Sequence, residues 1–542
     1  MAIKQLDAQM LKKMFLSGAR NLENHKELIN ELNVFPVPDG DTGTNMSLTI
    51  MSAAEAVDSL DDPTVGSVMK AVSSGSLRGA RGNSGVILSQ LFRGFYKEVK
   101  EEEVLTCAVM AGAMRRAVET AYKAVMKPKE GTILTVAKSV SDKAAELGEE
   151  AEDIGAFMDA VLMAGDETLD RTPEMLPVLK EAGVVDSGGM GLMMILHGCV
   201  EAFYGREITE SKPEEKEKAA SFRYLYETAF IVEGKQAFAR EEADGLRDYL
   251  ASLGEDLKLC VSDNRIKAAL ATNDPGVVLS KALKMGTLLA VNVKNRGEET
   301  SQTITFTDEE LKGGTEEEPV CEWQETAFLA VSRGSGLDEV FKGLGVSQII
   351  EGGQTMNPST DDILGAVGKA HAHVVYILPN NKNIILAAEQ AAKLAKDCRI
   401  VVIPSKTIPQ GITALLNYSP DLDIDDNIAA MTEEMAKVKT GEVTYAVRDT
   451  KIDGMEIHSG DLMGIADGHI CAVGQDIVDV TLDMIGGMVD EDSSLISLYR
   501  GEDMTEDTME TLREKTEERF PDCDLEVSDG GQPTYYCIVS VE

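Results

Sequence analysis

At 542 residues the chain is long enough for two to four domains, each with its own core. A formal charge of −41 and a pI near 4.5 argue against nucleic acid or an anionic lipid surface as the main partner. The same acidity repels free nucleotide, so any nucleotide site here must bring a cation with it. The eight cysteines lie singly with no Cys-x-x-Cys pair, which fits reduced thiols in a cytoplasmic protein. The start of the chain has no apolar signal core. Its most apolar window, residues 189–200, is too short and glycine-rich for a transmembrane segment.

Residues 7–32 place Leu11, Met14, Phe15, Ala19, Leu22, Ile29 and Leu32 mostly three and four apart, one apolar helical stripe. The loop Asn33-Val-Phe-Pro-Val-Pro-Asp-Gly-Asp-Thr-Gly-Thr-Asn-Met46 follows, and Met46-Ser-Leu-Thr-Ile-Met reads as the next helix. Helical spacing continues through about 55–77, 84–97, 104–126, 131–147, 154–168, 173–182 and 188–203. Strand-like alternation is nearly absent, so residues 1–204 read as an all-helical domain of about eight helices. Residues 205–221 are rich in Glu and Lys, a solvated linker. Residues 222–312 read as a small α/β domain, with strands at 226–232 and 287–293 and helices at 240–253 and 275–285. An acidic break at 313–319 precedes a third domain, 320–542. There, strands at 327–331, 374–378 and 399–403 alternate with helices at 336–344, 359–370 and 383–396, which predicts a mostly parallel sheet. Ser359 and Asp362 resemble a capping box, Asp467-Gly468 marks a hairpin, and 535–541 reads as a buried terminal strand.

The chemistry concentrates in the proline-stiffened loop. Asp39 and Asp41, one glycine apart, can point at the same hard cation, and Mg²⁺ is normally held by one or two carboxylates plus substrate phosphates. Asn33 is a candidate third, neutral ligand if the intervening stretch bulges. The N–H groups of residues 42–45, among them Thr42, Thr44 and Asn45, open a helix and offer a seat for phosphate oxygens. Gly79-Ala-Arg-Gly-Asn-Ser-Gly85 offers further N–H groups, with Asn83 and the Ser84 hydroxyl, at another helix start. Arg78 and Arg81 stand where they could neutralise charge on a transferred phosphoryl group. Against these readings stand a plain turn with an Asp N-cap, and two surface arginines. The six histidines form no metal spacing; His371 and His373 read as ordinary residues at a helix-to-strand junction.

Pro36-Val-Pro-Asp-Gly-Asp-Thr-Gly-Thr-Asn-Met46 resembles the metal loop of the dihydroxyacetone kinase L-type ATP-binding domain. Gly82-Asn-Ser-Gly85, Lys127-Pro-Lys-Glu-Gly-Thr132 and Val185-Asp-Ser-Gly-Gly189 follow in that domain's order. Glu351-Gly-Gly-Gln-Thr-Met-Asn-Pro-Ser-Thr360 and Leu378-Pro-Asn-Asn-Lys-Asn383 extend the resemblance to the bacterial fatty acid kinase catalytic subunit, nearly end to end. The resemblance implies a helical barrel with Mg·ATP at one end and nucleotide contacts from Thr132, Asp186 and Gly188. It further implies phosphorylation of a fatty acid's carboxylate, with the fatty acid presented by a DegV-like carrier. The C-terminal domain, which has no Gly-x-Gly-x-x-Gly turn or Walker loop, is expected to dock that carrier and not to bind nucleotide. The chain departs from its relatives in two places. Val34 stands where dihydroxyacetone kinases carry a further Asp. Leu225, Ala269 and Ala271 stand where relatives carry a zinc-binding Cys and two His, so no zinc is expected. The alternatives are a component of a small-ketone kinase like those acting on dihydroxyacetone, and a nucleotide-binding regulator without transfer activity. The oligomeric state is left open, a homodimer among the options.

Overall fold

The structure, a computed structural model, describes residues 3–34, 40–125, 127–206, 208, 226–234, 246–247, 249–250, 253–262, 265–295, 323–353, 356–446, 450–452 and 455–542. Asp39, Leu225 and most of the 205–221 linker lie outside these. The chain divides into two compact units, one made of Met1–Glu210 with Val320–Glu542 and the other of Ser211–Pro319.

The N-terminal part of the first unit is helical: α1 Ala8–Asn24, α2 Lys26–Glu31, α3 Thr42–Asp58, α4 Val65–Arg78, α5 Gly82–Val99, α6 Cys107–Ala124, α7 Ile133–Leu147, α8 Ile154–Asp170, α9 Thr172–Met175, α10 Pro177–Ala182 and α11 Ser187–Phe203. The eight long helices pack in sequence, and α11 closes against α1, giving the expected ring. Leu22, Ile50, Leu88, Leu134, Ile154 and Phe157 are fully buried inside it. Each such side chain contributes roughly 1.5–3 kcal/mol by leaving water. Two continuous-looking patterns are broken. Residues 7–32 split at His25, and the run leading into 55–77 splits between α3 and α4, where Asp61-Asp62-Pro63 cannot continue a helix.

Short connections make neighbours antiparallel, so the bundle has two distinct ends. At one, Leu6 pairs with Leu105 and the Ile154 N–H donates to the Ile3 carbonyl at 2.9 Å, gathering the starts of α1, α6 and α8. Lys12 Nζ ties the approach to α4 to the same end through the Asp58 and Leu60 carbonyls. The starts of α3, α5, α7 and α11 lie at the other end.

Among the described residues, the C-terminal part of the unit holds a four-stranded sheet, a six-stranded sheet and a two-stranded antiparallel ladder of β10 Thr450–Ile452 with β11 Met455–Ile457. Strands β5 Gln324–Ser332, β6 Gln348–Glu351, β7 Ala372–Leu378 and β8 Arg399–Val402 form a parallel sheet ordered β6-β5-β7-β8. The parallel expectation does not extend to the remainder. Strands β9 Lys439–Tyr445, β12 Leu462–Ala466, β13 His469–Gly474, β14 Leu495–Arg500, β15 Asp524–Asp529 and β16 Cys537–Val541 form a six-stranded sheet in which only β14–β15 is parallel. The physical reason is the connections. Asp467 and Gly468, both left-handed at φ 48° and 87°, reverse β12 directly into β13, and β16 enters antiparallel between β9 and β14. The capping box of Ser359 and Asp362 forms as read and opens the helix Thr360–Ala370.

The second unit has an antiparallel sheet ordered β2-β3-β1-β4, from β1 Tyr226–Glu233, β2 Gly254–Ser262, β3 Arg265–Thr272 and β4 Thr287–Asn295, with a helix Pro275–Leu283. Ala269 and Ala271 lie on β3, a strand the sequence pattern did not reveal, and Ala271 is buried.

Candidate functional site

The end of the bundle where α3, α5, α7 and α11 begin collects almost every site residue read from the sequence. Asp41 is the N-cap of α3, yet its side chain makes no capping hydrogen bond. The plain-turn reading therefore does not account for its carboxylate, which is buried. Asn33 is buried nearby, and its Oδ1 accepts from the Thr42 hydroxyl at 2.6 Å and the Ser187 hydroxyl at 3.4 Å. One amide thus ties the first residue of α3 to the first residue of α11. Asn30, which the sequence reading missed, accepts from the Thr44 N–H at 3.0 Å and donates to the Thr44 hydroxyl at 3.0 Å.

Asp186 caps α11 and joins it to α7. Its carboxylate accepts from the Gly189 N–H at 2.7 Å and from the Ile133 N–H. Burial nonetheless pushes its pKa up to about 7, those two hydrogen bonds only partly opposing the lost hydration. Gly188 permits this closeness, since a Cβ there would lie 3.2 Å from the Ile133 Cβ. Thr132 is the N-cap of α7 but spends its hydroxyl on the Lys129 carbonyl at 2.9 Å. The start of α5 approaches α3 through Gly82. This residue sits at φ +58°, and a Cβ on it would come within 2.7 Å of Asn45 Nδ2.

Two parts of the sequence reading look different in three dimensions. Arg78 is exposed. Arg81 is engaged within the protein: Nη1 donates to the Asn357 carbonyl at 2.8 Å, and Nη2 lies 3.2 Å from the Asp362 carboxylate. Both partners belong to the C-terminal part of the chain. From there Asn357 also donates, through Nδ2, to Asp41 Oδ2 at 2.6 Å, and its Nδ2 lies 3.4 Å from Asn45 Oδ1. Asn83 donates to Asn383 Oδ1 at 3.0 Å, while Ser84 is partly exposed. Sequence reasoning missed Asn357 and Asn383 as site residues, although both lie in motifs that carried the resemblance. The available signal was a pair of loops carrying uncharged amides, Gln354 and Asn357 in one and Asn380, Asn381 and Asn383 in the other. His371 and His373 flank Trp323, at ring distances of 6.4 and 5.2 Å.

The lone-pair donors gathered around Asp41 are oxygen throughout: its own carboxylate, the Asn33 and Asn45 amide oxygens, and the Thr42 and Ser187 hydroxyls. Such a set suits Mg²⁺ or Ca²⁺ and has none of the imidazole or thiolate ligands that zinc prefers. Asn357 Oδ1 is buried and has no partner, an acceptor left over for a donor arriving with a ligand. Helix N-termini beside it provide the positive field that phosphate seeks. Among the described residues no helix is long and apolar enough to cross a membrane.

Comparison with known proteins covers all three segments. A family model described as a DAK2 domain matches residues 36–201. Two models of the FakA-like fatty acid kinase family match the rest, one for the middle domain at 223–303 and one for the C-terminal region at 327–542. Protein YloV of Bacillus subtilis (strain 168) is 40% identical over 558 residues, covering 100% of both chains. An uncharacterized protein of Staphylococcus aureus (strain USA300) is 39% identical over 557 residues, again covering 100% of both. Among solved structures, a DegV family protein from Corynebacterium glutamicum overlaps 40% of this chain and 98% of its own, at 12% identity and a TM-score of 0.33. The dihydroxyacetone kinase of C. freundii, in complex with AMP-PNP and Mg²⁺, overlaps 37% of this chain and 35% of its own, at 14% identity and a TM-score of 0.30. With its full-length relatives and its three matching segments, the chain belongs to the FakA-like fatty acid kinase family, a family of kinases.

Proposed function

We propose that this protein is an ATP-dependent kinase that phosphorylates the carboxylate of a fatty acid held by a separate DegV-like carrier, releasing acyl phosphate and ADP. The observation that carries the reading is the gathering of four helix starts around the buried Asp41, within an all-oxygen donor set. Asp41, with Asp39 from the same loop and Asn33 as the neutral third ligand, would hold Mg²⁺. Bound there, the cation would neutralise phosphate charge and orient the terminal phosphoryl group. The N–H groups of Thr42 and Gly43 and of residues 82–84 would seat phosphate oxygens, the Thr44 N–H being held by Asn30 and the Asn45 N–H by the Asp41 carbonyl. Asp186 and Gly188 keep α7 and α11 close enough to complete the wall. A carboxylate acceptor is already a nucleophile, so no general base is required. Its oxygen would form the new bond to phosphorus as the bond to the ADP oxygen breaks. The acyl chain of such a substrate stays buried in its carrier, and the extensive C-terminal part of the chain gives this kinase a surface on which to receive that protein.

The test mixes the purified chain, Mg·ATP and a fatty-acid-loaded DegV-like protein, and traps acyl phosphate with hydroxylamine. Hydroxamate formation that needs all three components is the expected result. ATP turnover with dihydroxyacetone, and none with the loaded carrier, would overturn the acceptor.

A further inference from the structure

We propose that Asn357, about 316 residues from Asp41 along the chain, is a positioning residue of the nucleotide site. It fixes the Asp41 carboxylate, so that the site is complete only with the C-terminal part docked on the helical bundle. The inference rests on the nucleotide half of the proposed function and goes beyond it in assigning a residue and a dependence between segments.

The geometry is specific. Asn357 is 3% exposed, and its Nδ2 donates to Asp41 Oδ2 at 2.6 Å. A donor on one oxygen of a carboxylate fixes its plane, the way outer partners orient metal ligands. The second polar atom of the same amide, Oδ1, is buried without a partner. A buried amide that satisfies only half its capacity loses stability in the free protein. The bound ligand removes that loss if it supplies a hydrogen, as the water shell of a hydrated Mg²⁺ does.

Asn357 is also clamped from several directions. Its carbonyl accepts from Arg81 Nη1, whose neighbouring Nη2 faces Asp362. The Thr360 N–H donates to the Ala80 carbonyl at 3.2 Å, so the bundle's own loop caps the next turn. Ala80 and Val86 are buried in one apolar cluster with Leu329, Ile363 and Ile377 from around the parallel sheet. Further along the same contact, Gln390 accepts from Gln90 at 2.7 Å and donates to the Leu77 carbonyl at 2.8 Å. Gly82 leaves the room that Asn45 and Asn357 occupy, its Cβ position being 3.6 Å from Asn357 Nδ2. Arg81 is thus a strut for the Asn357 loop, and a cation already paired in this way contributes to the site through that loop.

The experiment uses the full chain and measures the Mg²⁺ concentration that gives half-maximal binding of a fluorescent ATP analogue, with thermal unfolding as the control for folding. Asn357→Ala should raise that concentration about tenfold, the effect of losing a hydrogen bond to a charged group. Gln390→Met, which cuts the same contact away from the site, should leave it unchanged. Asn357→Ser, too short to reach Asp41, should behave as the alanine variant does and carries the test if alanine unfolds the chain. In an Asp41→Asn background, Asn357→Ala should add no further shift. An unchanged Mg²⁺ requirement in the folded Asn357 variants, or a full further shift in the Asp41→Asn background, overturns the proposal. If the wild type binds Mg·ATP yet yields no acyl phosphate, the acceptor reading fails while the Mg²⁺ shift still decides the role of Asn357.

Discussion

The two ends of the helical bundle are built from the same kind of helix and finished in opposite ways. At the end away from the site, every long helix is closed by its own N-cap side chain. Asp7 accepts from Met10 N at 2.8 Å, Thr64 from Ser67 N at 3.1 Å, Thr106 from Val109 N at 3.3 Å and Asp153 from Gly155 N at 3.1 Å. At the site end, the N-caps of α3, α5 and α7, which are Asp41, Arg81 and Thr132, make no side-chain capping bond. Only Asp186 caps its helix there, and its burial raises its pKa. Two of these starts are closed from a neighbouring element instead, α3 by Asn30 at the Thr44 N–H and α7 by Asp186 at the Ile133 N–H. Such a side-chain cap is worth about 1 kcal/mol wherever its acceptor comes from. One end is closed by each helix's own N-cap, the other by residues of neighbouring elements, with the start of α5 carrying no side-chain N-cap bond. The site end therefore depends on tertiary contact in a way the far end does not.

The largest expected effect breaks the site end outright. Asp41→Ala, and likewise Asp39→Ala in the part of the loop beyond the described residues, should lower Mg-dependent nucleotide affinity and transfer at least about a hundredfold, by removing a charged ligand. Helical circular dichroism should be unchanged. Calorimetry of Mg·ATP binding decides it, and a folded variant with wild-type affinity would remove Asp41 from the ligand set.

A second comparison sets the one cap at the site end against those at the far end through pH. The folded-state pKa of Asp186, about 7, stands above the ordinary carboxyl value of 3.8. The folded chain therefore favours the neutral acid, and its contribution to stability is complete below about pH 4 and is lost as pH rises through 7. Asp186→Asn keeps an N-cap acceptor and removes this loss. Metal-free, the variant should gain on the wild type between pH 5 and pH 8, by at most about 3 kcal/mol at roughly 1.36 kcal/mol per pH unit. Denaturant melts at the two pH values measure it, and parallel pH dependence in both proteins would show the carboxyl to be hydrated. The smallest effect lies at the far end. Thr106→Ala should cost about 1 kcal/mol of stability by leaving the α6 start uncapped, with nucleotide affinity unchanged. A denaturant midpoint together with a binding isotherm tests both halves, and a loss of affinity would mean that the two ends are not independent.

Much of this was legible locally. Apolar residues at three- and four-residue steps located the eight long helices, because a helix buries one face whatever its partner. Asp39, Gly40 and Asp41 before a helix start, Ser359 with Asp362, and Asp467-Gly468 were legible because caps and turns depend on a few adjacent residues. The second C-terminal sheet was not. Period-two alternation marks a strand but does not say whether its partner runs parallel, and β16 takes its place only when β9 and β14 are already side by side.

By itself, then, the sequence determined the bundle, the acidic proline-stiffened loop before α3 and, through relatives matched along its whole length, the family. Only the tertiary structure decided that Asn357 from the C-terminal part meets Asp41, that Arg81 supports that meeting, and that helix starts at one end of the bundle are closed by neighbouring elements. A cap is written in neighbouring residues. A contact between positions about 316 apart has no local signature, and it exists because apolar burial at Ala80, Val86 and Ile363 brings two amides and a carboxylate within hydrogen-bonding distance.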